Sequence, residues 1–182
     1  MRARTTGLVT ARRRSFVLAS LALGLLLSLS GPAAASNANG NHNRYMWIVG
    51  ADPPFTETAI APNGSTITMS GSGTLKAGPG HTATGGGSYV LSSGGSGTWT
   101  ATGVQGFVNY GEAIPQGIPG AFGGETKLKV SLSNGDRGVL TITCLLGSPP
   151  PSKVEGIGVI LGRGGQFTKG VPESGDNIFF GV

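Results

Sequence analysis

Residues 36–182 of this 182-residue chain have the length of one domain, enough to bury a core without a covalent staple. Cys144 is the only cysteine, which excludes an internal disulfide. The net charge of +5 is local: Arg2, Arg4, Arg12, Arg13 and Arg14 lie at the start, and the remainder holds eight basic and eight acidic residues. No basic run survives there, so the electrostatic footprint of a nucleic-acid binder is absent.

Three arginines at 12–14 precede an apolar run from Phe16 to Leu29, broken by Gly31-Pro32 and followed by Ala33-Ala34-Ala35. That order of charged, apolar and small residues predicts a cleaved secretory signal peptide over 1–35 and a secreted, extracellular protein of a bacterial-type cell. The apolar run is about 14 residues, short of the ~20 that span a bilayer as a helix. Cleavage is expected after Ala35, with Ala38 as second choice, leaving no membrane anchor. No cysteine stands directly after the run to carry a lipid. Arg13-Arg14-Ser15-Phe16-Val17 resembles a twin-arginine signal, departing from that pattern at Arg12 and Leu18. An ordinary Sec signal is the alternative.

Residues 36–44 are polar and aperiodic and read as a flexible tail. The glycine-rich domain is expected over 45–182. Tyr45 to Val49 is a compact apolar run and a first strand, ended by Asp52-Pro53-Pro54. After the Asn63-Gly64 turn, Ile67, Met69 and Leu75 alternate with Thr and Ser, the period of a half-buried strand. Lys76 to Gly87 reads as a long loop on its glycines. Ser88–Ser92, Ser96–Thr102 around Trp99, and Val104–Tyr110 read as three short strands. Residues 111–124, with Pro115, Pro119 and four glycines, read as a second long loop.

The clearest unit comes next. Leu128, Val130 and Leu132 alternate with polar residues, Asn134–Gly138 turns the chain, and Leu140, Ile142, Cys144 and Leu146 alternate again. This predicts a β-hairpin with one face inward and a cationic outer face at Lys127 and Lys129. A stiff connector at 147–152 leads to a strand carrying Ile157, Val159 and Leu161, a turn at 162–165 and a short strand near 166–169. The apolar run Ile178–Val182 is expected to pair within the sheet.

No segment after residue 35 shows ten or more residues of helical period. The expected fold is all-β: a small single-domain antiparallel β-barrel or, alternatively, a β-sandwich. Gly95-Ser96-Gly97-Thr98-Trp99-Thr100-Ala101-Thr102-Gly103 resembles the Gly-x-Gly-aromatic strands of small calycin-like barrels such as the allene-oxide-cyclase and dirigent group. The resemblance implies a barrel and assigns no functional residue.

The chemistry is sparse. The register of Cys144 predicts a buried, inert thiol. His42 and His81 belong to no spaced ligand cluster, so neither a metal site nor a cofactor is expected. Glu112, Glu125 and Glu155 are scattered carboxylates with no spacing that pairs them. Asn134-Gly135-Asp136 and Asp176-Asn177 offer oxygens for a calcium ion, although Asn-Gly-Asp is also ordinary turn chemistry. Gly162–Gly165 has no helix after it to make a phosphate loop. No catalytic residue is nominated. If the interior is open, Trp99, Tyr110, Glu112 and His81 are the candidates for a ligand-binding mouth. The expected function is that of a secreted, non-catalytic binding or structural β-protein. Its partner would be a small apolar ligand or a cell-surface glycan. The alternative is a small barrel enzyme, isomerase- or cyclase-like, acting on an apolar small molecule.

Overall fold

The computed structural model describes residues 43–170 and 176–182. The expected signal peptide and all of the tail before Asn43 lie outside the described residues. All strands among the described residues belong to one antiparallel sheet. They are β1 (Arg44–Val49), β2 (Glu57–Ile60), β3 (Thr66–Lys76), β4 (Thr82–Leu91), β5 (Ser96–Glu112) and β6 (Ala121–Leu132). After these come β7 (Arg137–Cys144), β8 (Gly156–Leu161), β9 (Gly165–Phe167), β10 (Lys169–Gly170) and β11 (Asn177–Gly181). One 3-10 turn, Ile114–Gln116, is the only helical piece among the described residues.

The all-β expectation holds, and the pairings run in a partial ring. β1 lies between β3 and β11. β11 reaches β6 through Phe179 opposite Phe122 and Phe180 opposite Ala121. β6 pairs with β5, β5 with β4 and β4 with β3. β2 and β10 extend the sheet from β3, and β7, β8 and β9 extend it from β6. The expected hairpin is β6–β7, with Leu128 opposite Leu140. The expected terminal pairing is that of β11.

Alternation places one face of each strand inward. Trp47, Ile67, Met69, Leu128, Leu140 and Phe179 are buried there, while Lys127 and Lys129 are exposed. Trp47 and Trp99 stack with ring centroids 5.5 Å apart, a geometry that adds to the area they bury. Glycine makes room for them. A Cβ at Gly73 would lie 2.5 Å from Trp47 Cζ2 and would collide with the Thr84 carbonyl oxygen. On the outer face, hydroxyls pair across strands: Thr58 with Thr68, Ser70 with Ser88 and Thr74 with Thr84, each at 2.9 Å.

Four sequence expectations are corrected. Half of the loop expected at 76–87 belongs to β4, because Gly85, Gly86 and Gly87 serve close strand approach rather than turning: a Cβ at Gly87 would collide with the Ser70 carbonyl oxygen. The loop expected at 111–124 is shorter, since Ala121–Gly124 already belong to β6. The two strands expected at 96–102 and 104–110 are one, β5, whose three register shifts interrupt the alternation. β2 is an additional strand without an alternating signal, because its buried Glu57 breaks the apolar pattern.

Candidate functional site

The four nominated mouth residues occupy separate surroundings. Trp99 is buried in the ring stack, and its indole N–H donates to the Ser70 carbonyl oxygen at 3.1 Å. Tyr110, eleven positions further along β5, is buried, and its hydroxyl has no hydrogen-bond partner. Burial, then the Glu125 charge, push its phenol pKa up, opposed by Lys153. Glu112 accepts the Gly120 N–H at 2.7 Å, closing the loop before β6. His81 is exposed in the turn before β4.

Two other sequence candidates resolve as internal ties. The Asp136 carboxylate accepts the Arg137 N–H at 2.8 Å and the Arg163 N–H at 3.2 Å. The turn at 162–165 thus offers that N–H to the protein's own carboxylate. Glu125 forms an ion pair with Lys153 at 2.5 Å.

A cavity of about 350 Å³ opens where five chain segments converge. The segments are the residues just after β1, the loop before β6, the end of β7, the start of β8 and the start of β11. Ala51, Ile118, Cys144, Leu145, Leu146 and Ile178 give it apolar walls, and Asp52, Glu155, Asp176 and Asn177 give it polar ones. The antiparallel pairings explain the convergence: Thr143 lies opposite Gly156, and Val49 opposite Asn177, so strand ends from distant parts of the chain meet.

Glu155 is the centre of this arrangement. Its Oε2 accepts the Leu145 N–H at 2.5 Å and its Oε1 the Asn177 N–H at 3.3 Å. It also borders a smaller groove of about 200 Å³ on the outer face of β7 and β8. Burial pushes its carboxyl up to about 7, against the two backbone hydrogen bonds, and the charges of Asp176 and Glu57 add to the rise. Asp176 is also raised, by burial and then by Asp52. Cys144 is a free, buried thiol, pushed up to about 12 by burial first and then by Glu155. It is therefore protonated at neutral pH and unfit as a nucleophile.

Several hydrogen-bond donors along these walls are engaged within the protein. Asp176 donates its N–H to Asp52 Oδ1 at 2.6 Å, and Ala51 donates to the Asp176 carbonyl oxygen at 2.6 Å. Asn177, almost wholly buried, donates through Nδ2 to the Thr143 carbonyl oxygen at 3.1 Å. Its Oδ1 accepts no hydrogen bond. No group of three His, Cys, Asp or Glu side chains among the described residues is placed to hold a metal ion.

Comparison with family models, with curated proteins and with solved structures found no match.

In the sequence, Glu155 stands out only beside Glu112 and Glu125, and Asp176-Asn177 only as a pair of calcium-type oxygens. Their proximity has no local signal, because it depends on the β7–β8 and β1–β11 pairings. Asp52 carries no signal beyond ending the first strand.

Proposed function

We propose that the chain is an exported, non-catalytic binding protein whose partial ring of strands works as a small β-barrel. Its ligand site is the cavity walled by Leu145, Leu146, Ile178 and Glu155. Export rests on the twin-arginine-like leader of residues 1–35 and its small-residue cleavage motif. The observation that carries binding is the cavity itself. It is concave, mostly apolar and of a size for a small molecule, with a few polar groups converging on one wall. A domain with only a structural role would fill such a space with its own side chains.

The test is ligand uptake monitored by NMR on the methyl groups of Ile118 and Ile178, using small apolar probes. Saturable shifts at both, abolished by Leu146→Trp, are expected. Shifts spread evenly over the surface, or unchanged by the filling substitution, would defeat the reading.

Glu155 favours one second reading, a small isomerase- or cyclase-like enzyme. A carboxyl held near 7 beside an apolar cavity can take up and return a proton at neutral pH. Turnover of a bound ligand that stops in Glu155→Gln while binding persists would establish it.

A further inference from the structure

We propose that the cavity selects an organic ammonium, a protonated amine carried on a small apolar body. This rests on the binding reading above and names its ligand class.

The polarity of the walls decides the ligand's charge. Asp52, Glu155 and Asp176 present carboxylates, Asn177 presents an amide, and among the described residues no lysine, arginine or histidine lines the cavity. Four of the donors that could greet an anion are engaged. The N–H groups of Leu145 and Asn177 serve Glu155, that of Asp176 serves Asp52, and the Asn177 side-chain N–H serves Thr143. What remains is acceptor capacity. The clearest instance is Asn177 Oδ1, a buried oxygen with no donor in the protein. A buried acceptor left unsatisfied is costly.

Charge complementarity points the same way. Glu155 and Asp176 repel one another, so a cation between them relieves a like-charge contact as well as gaining a charge-assisted hydrogen bond. A bare metal ion fits less well, because the acidic groups do not converge as a set of three among the described residues. An ammonium needs only one or two acceptors and carries its own apolar part. The walls at Ile118, Leu145, Leu146 and Ile178 supply the complement to that part.

The experiment is calorimetric titration of the purified full chain at pH 8 with three probes of equal length: hexylammonium, hexanol and hexanoate. Hexylammonium is expected to bind most tightly. Glu155→Gln is expected to weaken it about tenfold while leaving hexanol within twofold. Asp176→Asn, at an exposed position whose backbone makes the structural contacts, guards against misfolding of the first variant and is expected to weaken hexylammonium alone. Binding of hexanol or hexanoate as tight as that of hexylammonium overturns the ammonium inference and leaves the binding site standing. Competition by micromolar calcium overturns it in favour of a metal. Absence of binding by all three probes overturns the binding reading together with it.

Discussion

The Asp136 carboxylate and the Arg163 backbone N–H join two turns of the chain. The N–H lies 3.2 Å from each carboxylate oxygen, and the same carboxylate also receives the Arg137 N–H. The turn after β6 and the turn after β8 are therefore held by one largely buried side chain. Asp136→Ala leaves two N–H groups without this acceptor and is expected to cost about 2 kcal/mol. Equilibrium unfolding in urea checks it. A loss within about 0.5 kcal/mol, the range of an ordinary surface change, would show that water replaces the carboxylate without penalty.

Gly73 inside β3 and the turn glycine before that strand predict sensitivities of different size and cause. Gly64 has a left-handed φ of 84° and open space around its Cβ position. Gly64→Ala should therefore cost about 1 kcal/mol of backbone strain. Gly73→Ala meets the Thr84 carbonyl oxygen and the Trp47 ring at once. It should cost about 3 kcal/mol, through overpacking rather than backbone conformation. Thermal unfolding of the two variants side by side decides this, and equal losses would contradict the tight seat of Trp47.

Trp47 and Trp99 are stacked, yet only one has a partner for its indole N–H. Trp99 donates to Ser70, whereas Trp47 Nε1 is buried without an acceptor. Replacement by Phe removes similar volume from each, but at Trp99 it also discards a hydrogen bond. Trp99→Phe is expected to be the more destabilising by about 1 kcal/mol. Urea midpoints of the two variants measure the difference, and the reverse order would contradict the assignment.

Glu155 makes stability fall with rising pH. Its carboxyl is held at about 7 in the fold, against ~4.3 in an unfolded chain. Between those values the folded protein binds the proton more tightly than the unfolded one. The Glu155 contribution is complete below about pH 4 and is lost as pH rises through 7. The full swing is on the order of 3 kcal/mol, and the raised Asp176 adds in the same direction. Unfolding free energies measured from about pH 4.5 to 8 should show this decline, and Glu155→Gln should flatten most of it. A decline that persists unchanged in the variant would assign it to other groups.

The hairpin β6–β7 is legible in the sequence because its alternation is unbroken from Lys127 to Cys144 and its turn carries Asn-Gly-Asp. The glycine tracts mislead for a physical reason. Glycine has no side chain with which to alternate, and the cause of Gly85–Gly87 lies on the strands opposite. β5 looks like two strands because each register shift reverses the parity of the residues beyond it, so Trp99 and Ala101 face inward on odd positions and Val104 on an even one. At the cavity, the residue types are visible in the sequence. Hidden there is that residues 52, 145, 155 and 177 are brought together by strand pairing alone, with no spacing in the chain to announce it.

β11 sits between β1 and β6, bonding to the first strand on one side and to the middle of the chain on the other. During synthesis, β1 through β9 can emerge and pair locally, but β1 and β6 have no link through this strand until residues 177–181 leave the ribosome. Until then β1 presents a bare backbone edge along its length, and β6 one at Ala121 and Phe122, to any neighbouring nascent chain. Maturation of this protein is therefore a late event, decided by one five-residue strand, and a chain stalled before it is the form most exposed to aggregation.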